Sequence, residues 1–173
     1  MNDPQLIQRI CDTALLKGDF TLRSGRKSKY YLDKYLFSTQ PDILTELAKR
    51  FAHHVDDSIT RLAGAELGGI PLVTATGIET GKPIVFIRNQ KKEYGTNKQL
   101  EGVLNKDDKV ILLEDIATTG GQVLEAAKVI DTAGASVLKI IATIDRQEGA
   151  RENIESGGYQ FDSLFTKSDL GID

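Results

Sequence analysis

The chain has 173 residues, 40% of them hydrophobic and 27% charged, and a formal net charge of −3. That is one domain with a sizeable core, neither disordered nor fibrous, and its slight acidity argues against nucleic acid as the main partner. The single cysteine, Cys11, excludes a disulfide framework, and no apolar run approaches a membrane span or a leading signal segment, so a cytoplasmic protein is expected.

Asp3-Pro4 reads as an N-cap with proline in the first turn, and Lys17-Gly18 as the end of that helix. Leu6, Ile7, Ile10, Ala14 and Leu15 form its apolar face, where Cys11 reads as a buried structural thiol. FTLRSGRKSKYYLD (20–33) is two short runs around Ser24-Gly25, the pattern of a hairpin. Its Arg23, Arg26, Lys27 and Lys29 beside Tyr30 and Tyr31 would suit single-stranded nucleic acid, a hood over a small anion, or a charged edge that guards against aggregation. Pro41 starts a helix with Ile43, Leu44, Leu47, Ala48, Phe51 and Val55 at helical spacing; His53 and His54 near its end are adjacent and make a poor metal pair.

TRLAGAELGGIPLVTATGIETG (60–81) reads as strand, turn at Gly68-Gly69, and helix, a place where backbone N–H groups meet an anion. GIETGKP has the wrong spacing for a P-loop and lacks the hydroxyl after lysine. After the strand PIVFI (83–87) comes a long polar connection, RNQKKEYGTNKQLEG (88–102). Within 88–98, Arg88, Lys91, Lys92 and Lys98 stand against Glu93 alone, which suits a cationic lid over a polyphosphate or a solvated linker.

The chain is organised around VILLEDIATTGGQVLEAAKVI (110–130). Val110 to Leu113 are unbroken and apolar, as in a strand buried on both faces. Glu114 and Asp115 follow where the strand is expected to run out, then Thr118-Thr119-Gly120-Gly121 and a helix with Val123, Leu124, Ala127 and Ile130 on one stripe. Glycine turn and helix start together offer unpaired N–H donors and a positive dipole end to a phosphate. A carboxylate beside a phosphate would repel it, so the acids point to a neutral diol such as a ribose, or to a cation. A solvated acid pair in an ordinary loop is the plain alternative. VLKIIATI (137–144), ending in Asp145-Arg146-Gln147-Glu148-Gly149, and YQFDSLFT (159–166) complete four or five strands alternating with helices. The expected fold is α/β, a doubly wound and mainly parallel sheet, with the acid pair, Gly68-Gly69, the 88–98 segment and Arg146 on one rim.

VILLEDIATTGG resembles the phosphoribosyl-pyrophosphate (PRPP) motif of type I phosphoribosyltransferases. With GDFTLRSGRKSKYYLD, GAELGGIPLVTA, RNQKKEYGT and IDRQEG, in that order and spacing, the chain resembles the orotate phosphoribosyltransferases over most of its length. The resemblance implies the type I phosphoribosyltransferase fold, with residues 1–40 as an N-terminal helix and hairpin hood and 41–173 as the core with its lid at 88–100. It implies transfer of phosphoribosyl from PRPP to orotate in de novo pyrimidine synthesis, with Mg²⁺ held by PRPP and water rather than by side chains. It further implies a homodimer with shared active sites, Lys92 reaching into the partner's. By position, Arg88, Lys92 and Tyr94 match pyrophosphate-binding lid residues, and Glu114, Asp115, Ile116, Ala117, Thr118, Thr119, Gly120, Gly121 and Gln122 match the PRPP loop. Lys92, Glu114 and Asp115 are the expected catalytic residues. Thr118 and Arg146 match orotate contacts, Arg23 a basic hairpin residue, and Tyr30-Tyr31 an aromatic pair flanking the base. There are departures: Asn89 stands where many relatives have lysine, Tyr94 where many have histidine, and Gly68 in place of a lysine, which leaves Gly68 and Gly69 only backbone donors. Transfer to another base, or a PRPP-binding regulator on the same fold, would share the central motif.

Overall fold

Successive residues of the central strands go to opposite faces. Leu62, Ile111, Leu113 and Ile141 enter one apolar cluster, and Ala63, Val110, Leu112 and Ile140 the other. A parallel sheet covered by helices on both sides requires that double burial. The computed structural model describes residues 1–21, 25, 27–90 and 99–172. In chain order, helix α1 (Asp3–Ala14) leads into the hairpin β1 (Leu15–Thr21) and β2 (Lys27–Leu32), then helices α2 (Lys34–Ser38) and α3 (Pro41–Ala52). Strand β3 (Arg61–Ala65), helix α4 (Gly69–Thr80), strand β4 (Ile84–Ile87) and the short β5 (Leu100–Glu101) follow. The last part is β6 (Lys109–Ala117), α5 (Gly121–Thr132), β7 (Ser136–Asp145), α6 (Ala150–Ser156) and β8 (Gln160–Thr166).

The main sheet runs β5-β4-β3-β6-β7-β8 and is parallel except for the β4–β5 pair. Helices α1 to α4 pack on one face, where Leu6, Phe37, Leu47 and Leu72 join the first cluster. On the other face, Val123 and Ile130 of α5 and Ile154 of α6 join the second. Chain order reverses between β3 and β6, and such a switch point opens a crevice at the carboxyl ends of the strands. Among the described residues, no helix is long and apolar enough to cross a membrane.

Three local expectations are corrected. Helix α1 ends at Ala14 rather than at Lys17-Gly18, because Leu15 and Leu16 pair with Leu32 and Tyr31 in the hairpin. Its N-cap is Asn2, not Asp3: Asn2 Oδ1 accepts from Gln5 N at 3.0 Å and Gln5 Oε1 from Asn2 N at 3.1 Å, a reciprocal capping box. Strand β6 runs on through the acid pair to Ala117, because Ile116 and Ala117 still pair with Ile144 and Asp145 of β7. Cys11 is half-buried, its Sγ 3.8 Å from the Leu170 carbonyl.

At the opposite ends of β3 and β6, Arg61 Nε donates to Asp108 Oδ2 at 2.9 Å, and both side chains are buried. Asp108 also accepts from Thr60 Oγ1 and from Asn105 N. Burial pushes its carboxyl up, but the bonds from Asn105, Thr60 and Arg61 outweigh burial and leave it below the ordinary value. A carboxyl lowered by folding stabilises above its unfolded pKa, and that contribution is lost as pH falls through the folded one. Asp108→Ala should therefore cost roughly 3 kcal/mol at neutral pH by leaving Arg61 unpaired. The variant should also lose less stability than wild type on acidification below about pH 4. Urea unfolding at pH 7 and pH 3 measures both.

Candidate active site

Glu114 and Asp115 sit at the carboxyl end of β6, beside the switch point. Both are buried, and the Asp115 side chain is only 1% exposed. Asp115 Oδ1 accepts from Ile116 N at 2.5 Å and from Lys34 Nζ at 3.3 Å. Oδ2 has the same ammonium at 3.0 Å, off the line of a hydrogen bond, and no hydrogen-bond donor among the described residues. Glu114 Oε1 accepts from Asp115 N at 3.2 Å, and its Oε2 is buried without a partner among the described residues. Burial first, and the Asp115 carboxylate second, push the Glu114 carboxyl well above the usual range. This pair is no solvated loop: it is two adjacent acids with unused acceptor capacity at the mouth of a crevice.

Gly120 keeps the turn after β6 free of a side chain at the start of α5. Gly120 has φ 77°, and a Cβ there would stand 2.9 Å from Ile154 Cγ1, so a side chain is excluded both by conformation and by α6. Asn153 Nδ2 donates to Thr119 O at 2.9 Å and braces the same turn. No side chain caps α5, whose first N–H groups and positive dipole end adjoin Thr118-Thr119-Gly120. Facing it across the switch point is the β3–α4 turn. A Cβ on Gly68 would lie 1.3 Å from Asp115 Oδ2, and one on Gly69 2.9 Å from Leu113 O. The side chain missing at 68 is thus the space that Asp115 occupies.

Three segments are tied together here. Asn89 N donates to Glu66 Oε1 at 2.6 Å, while Gln122 Nε2 donates to Asn89 Oδ1 at 2.7 Å and Glu66 O at 3.2 Å. Asn89, where a second lid lysine was absent from the sequence, clasps the start of α5 to the stem of the 88–98 segment. Arg88 is half-buried; its N donates to Gln99 O at 2.8 Å, Nη1 lies 3.8 Å from Glu101, and Nε is buried without a hydrogen-bond partner among the described residues. Lys92, Tyr94 and Arg23 lie outside the described residues.

Arg146 follows β7 on the same rim, its N donating to Ala117 O at 2.9 Å, so it is pinned to the strand that carries the acids. Its Nη2 lies 3.0 Å from Glu148 Oε1 and 3.4 Å from Tyr30 Oη, with the guanidinium carbon 6.0 Å from the Tyr30 ring centre. The hairpin thereby leans on the Arg146 side of the rim. Alternation along β2 separates the two tyrosines: Tyr30 meets Arg146, whereas Tyr31 is 42% exposed and tilts against Phe20, ring centres 5.7 Å apart. The structure thus gathers Glu114, Asp115, the 118–122 turn, Gly68, Gly69, Arg88 and, through Ala117, Arg146 with Tyr30. It adds Lys34, which no motif flagged because its partner is 81 residues away.

An acid pair on the central strand, a glycine turn opening the next helix and a doubly wound sheet define a phosphoribosyltransferase, and a phosphoribosyl transferase domain model matches residues 37–158. The orotate phosphoribosyltransferase of Natronomonas pharaonis is 45% identical over 174 residues, covering 100% of this chain and 99% of that protein. Among solved structures, Mycobacterium tuberculosis H37Rv orotate phosphoribosyltransferase in complex with Fe(III) dicitrate superposes with a TM-score of 0.88 at 27% identity, covering 98% of both chains. The same enzyme in complex with PRPP gives 0.80 at 25% identity, again over 98% of both. The chain belongs to the orotate phosphoribosyltransferase family.

Proposed function

We infer that this chain transfers the 5-phosphoribosyl group of PRPP to orotate, releasing pyrophosphate and giving orotidine 5′-monophosphate. The observation that carries this reading is the shared rim. Acids fit for a diol, a side-chain-free helix start fit for a phosphate, and an arginine fit for a carboxylate stand on adjacent strands β6 and β7. In the reaction the bond from ribose C1′ to the pyrophosphate oxygen breaks and a bond from C1′ to a ring nitrogen of orotate forms. The ring N–H proton leaves to solvent. Positive charge grows on the ribose and negative charge on the leaving group, so positioning and charge stabilisation supply the catalysis and no protein nucleophile is needed.

Asp115, with Glu114 beside it, takes the ribose hydroxyls; the N–H groups of 118–122 take the 5′-phosphate; Arg88, with Lys92 and Tyr94, takes the pyrophosphate. Thr118 and Arg146 take orotate, whose carboxylate matches the guanidinium fork. Mg²⁺ comes as part of the substrate, held by the PRPP pyrophosphate and water. Among the described residues no group of three or more His, Cys, Asp or Glu side chains is placed to hold a metal ion, and Asp115 has the Lys34 ammonium 3.0 Å away. The active unit is a cytoplasmic homodimer, the 88–100 segment closing as a lid and the 1–40 part as a hood. Apolar residues outside the core, Ile78 at 81% and Leu67 at 60% exposure, offer a second copy a surface to cover.

Arg146→Ala tests the choice of base. Removing the partner of a carboxylate in a half-buried site should raise the KM for orotate by about thirtyfold, roughly 2 kcal/mol, with a much smaller change for PRPP. Steady-state kinetics with each substrate varied in turn measure the split; equal effects on both would assign Arg146 to the shape of the rim.

A further inference from the structure

Two carboxyls side by side, nearly shut off from water, repel each other and lose hydration, so a cation is needed if one is to stay ionised. Among the described residues, the only cation within ion-pair distance of the pair is Lys34, at 3.0 Å from Asp115 Oδ2. It is placed by construction. Asp33 Oδ1 caps α2 by accepting from Tyr35 N at 3.0 Å, Phe37 anchors the helix in the core, and the Lys34 ammonium stands 5.5 Å from the Tyr35 ring centre. Position 68 cannot bring the charge from the facing turn: a Cβ there would lie 1.3 Å from Asp115 Oδ2. Burial alone would lower the Lys34 pKa, yet Asp115 first, and then Glu114 and Tyr35, outweigh it and hold it above the ordinary value.

We propose that Lys34 is a positioning residue of the ribose site, pairing with the Asp115 carboxylate and aiming it so that it can accept the ribose hydroxyls. This rests on the reading of Asp115 as the ribose acceptor. Among the described residues, the charged and titratable groups facing the acid pair are Lys34 from α2, with Tyr35 beside it, and the two acids themselves on β6; the 67–69 turn and the β7 residues opposite, Ala142 to Ile144, bring none.

The test is the pH dependence of kcat/KM for PRPP in Lys34→Gln and Lys34→Arg, with Asp115→Asn assayed alongside. Without the ammonium, which holds the raised Glu114 carboxyl down, Glu114 keeps its proton to higher pH. Lys34→Gln should move the acid limb upward and raise the KM for PRPP by about tenfold or more, the equivalent of one pKa unit of lost charge pairing. The KM for orotate should stay within about twofold, below the size of one weak interaction. Lys34→Arg should restore the limb. An unmoved limb with unchanged KM for PRPP would overturn the proposal, as would equal changes in both KM values. A lower KM for PRPP would also overturn it, making Lys34 a plug that competes with ribose. If Lys34→Gln fails to fold, Lys34→Met, neutral and of similar length, decides: an acid limb moved upward supports the proposal and a limb at its wild-type position refutes it. An active Asp115→Asn would instead remove the ribose reading beneath it; an inactive Asp115→Asn beside an unaffected Lys34→Gln would sink the Lys34 inference alone.

Discussion

Asp115→Asn is expected to abolish nearly all transfer while leaving a folded protein. The substitution keeps the shape but removes the charge that makes two hydroxyl contacts strong. A hydrogen bond to a charged group is worth about 1.5–3 kcal/mol, so two of them put the loss in kcat/KM at a hundredfold or more. Stability should change little, because two effects oppose each other. Neutralising Asp115 relieves its repulsion with the buried Glu114 beside it, whose Oε2 lacks a hydrogen-bond partner among the described residues. The same change takes the carboxylate from the Lys34 ammonium, which stands 3.0 Å from Oδ2. Activity assays and thermal melts on the same preparation separate the two outcomes; retained activity with a large fall in melting temperature would make the acids structural.

Lys92→Ala mixed with Asp115→Asn should recover activity that neither variant has alone. Each is expected to be nearly inactive, the first for want of the lid cation and the second for want of the ribose acceptor. If Lys92 acts in its partner's site, a mixed dimer has one site lacking both residues and one with both. Random assortment makes half the dimers mixed, each with one good site of two, so recovery should approach about a quarter of wild type in a two-fold dimer. Native mass spectrometry establishes that subunits have exchanged. Activity that then stays at the level of the single variants would place Lys92 in its own chain's site.

The acid pair, the 118–122 turn and Arg146 were legible because each chemical group is local in sequence and directly follows an apolar run that reads as a strand. What was not legible is what tertiary contact decides. Continued pairing of Ile116 with Ile144 carries β6 past the acids, although an acid pair ordinarily ends a buried strand. The hairpin takes Leu15 and Leu16 from a helix whose apolar stripe would otherwise continue through Leu15. Lys34 belongs to a five-residue helix too short to show a period, and meets Asp115 only because α2 packs beside β6. Gly68 read as a departure from the family; the structure shows that the space for its side chain is taken by Asp115. The division of Tyr30 from Tyr31 follows from alternation alone once the hairpin is accepted.

The most direct test of orotate transfer is the wild-type protein with PRPP and Mg²⁺, given orotate, uracil, adenine, guanine or hypoxanthine in parallel. Loss of orotate absorbance is followed together with pyrophosphate release. Orotate should be consumed one for one as pyrophosphate is released, and the bases lacking a carboxylate left essentially untouched. Preferred turnover of one of those bases, or binding of PRPP with no transfer to any of them, would contradict that.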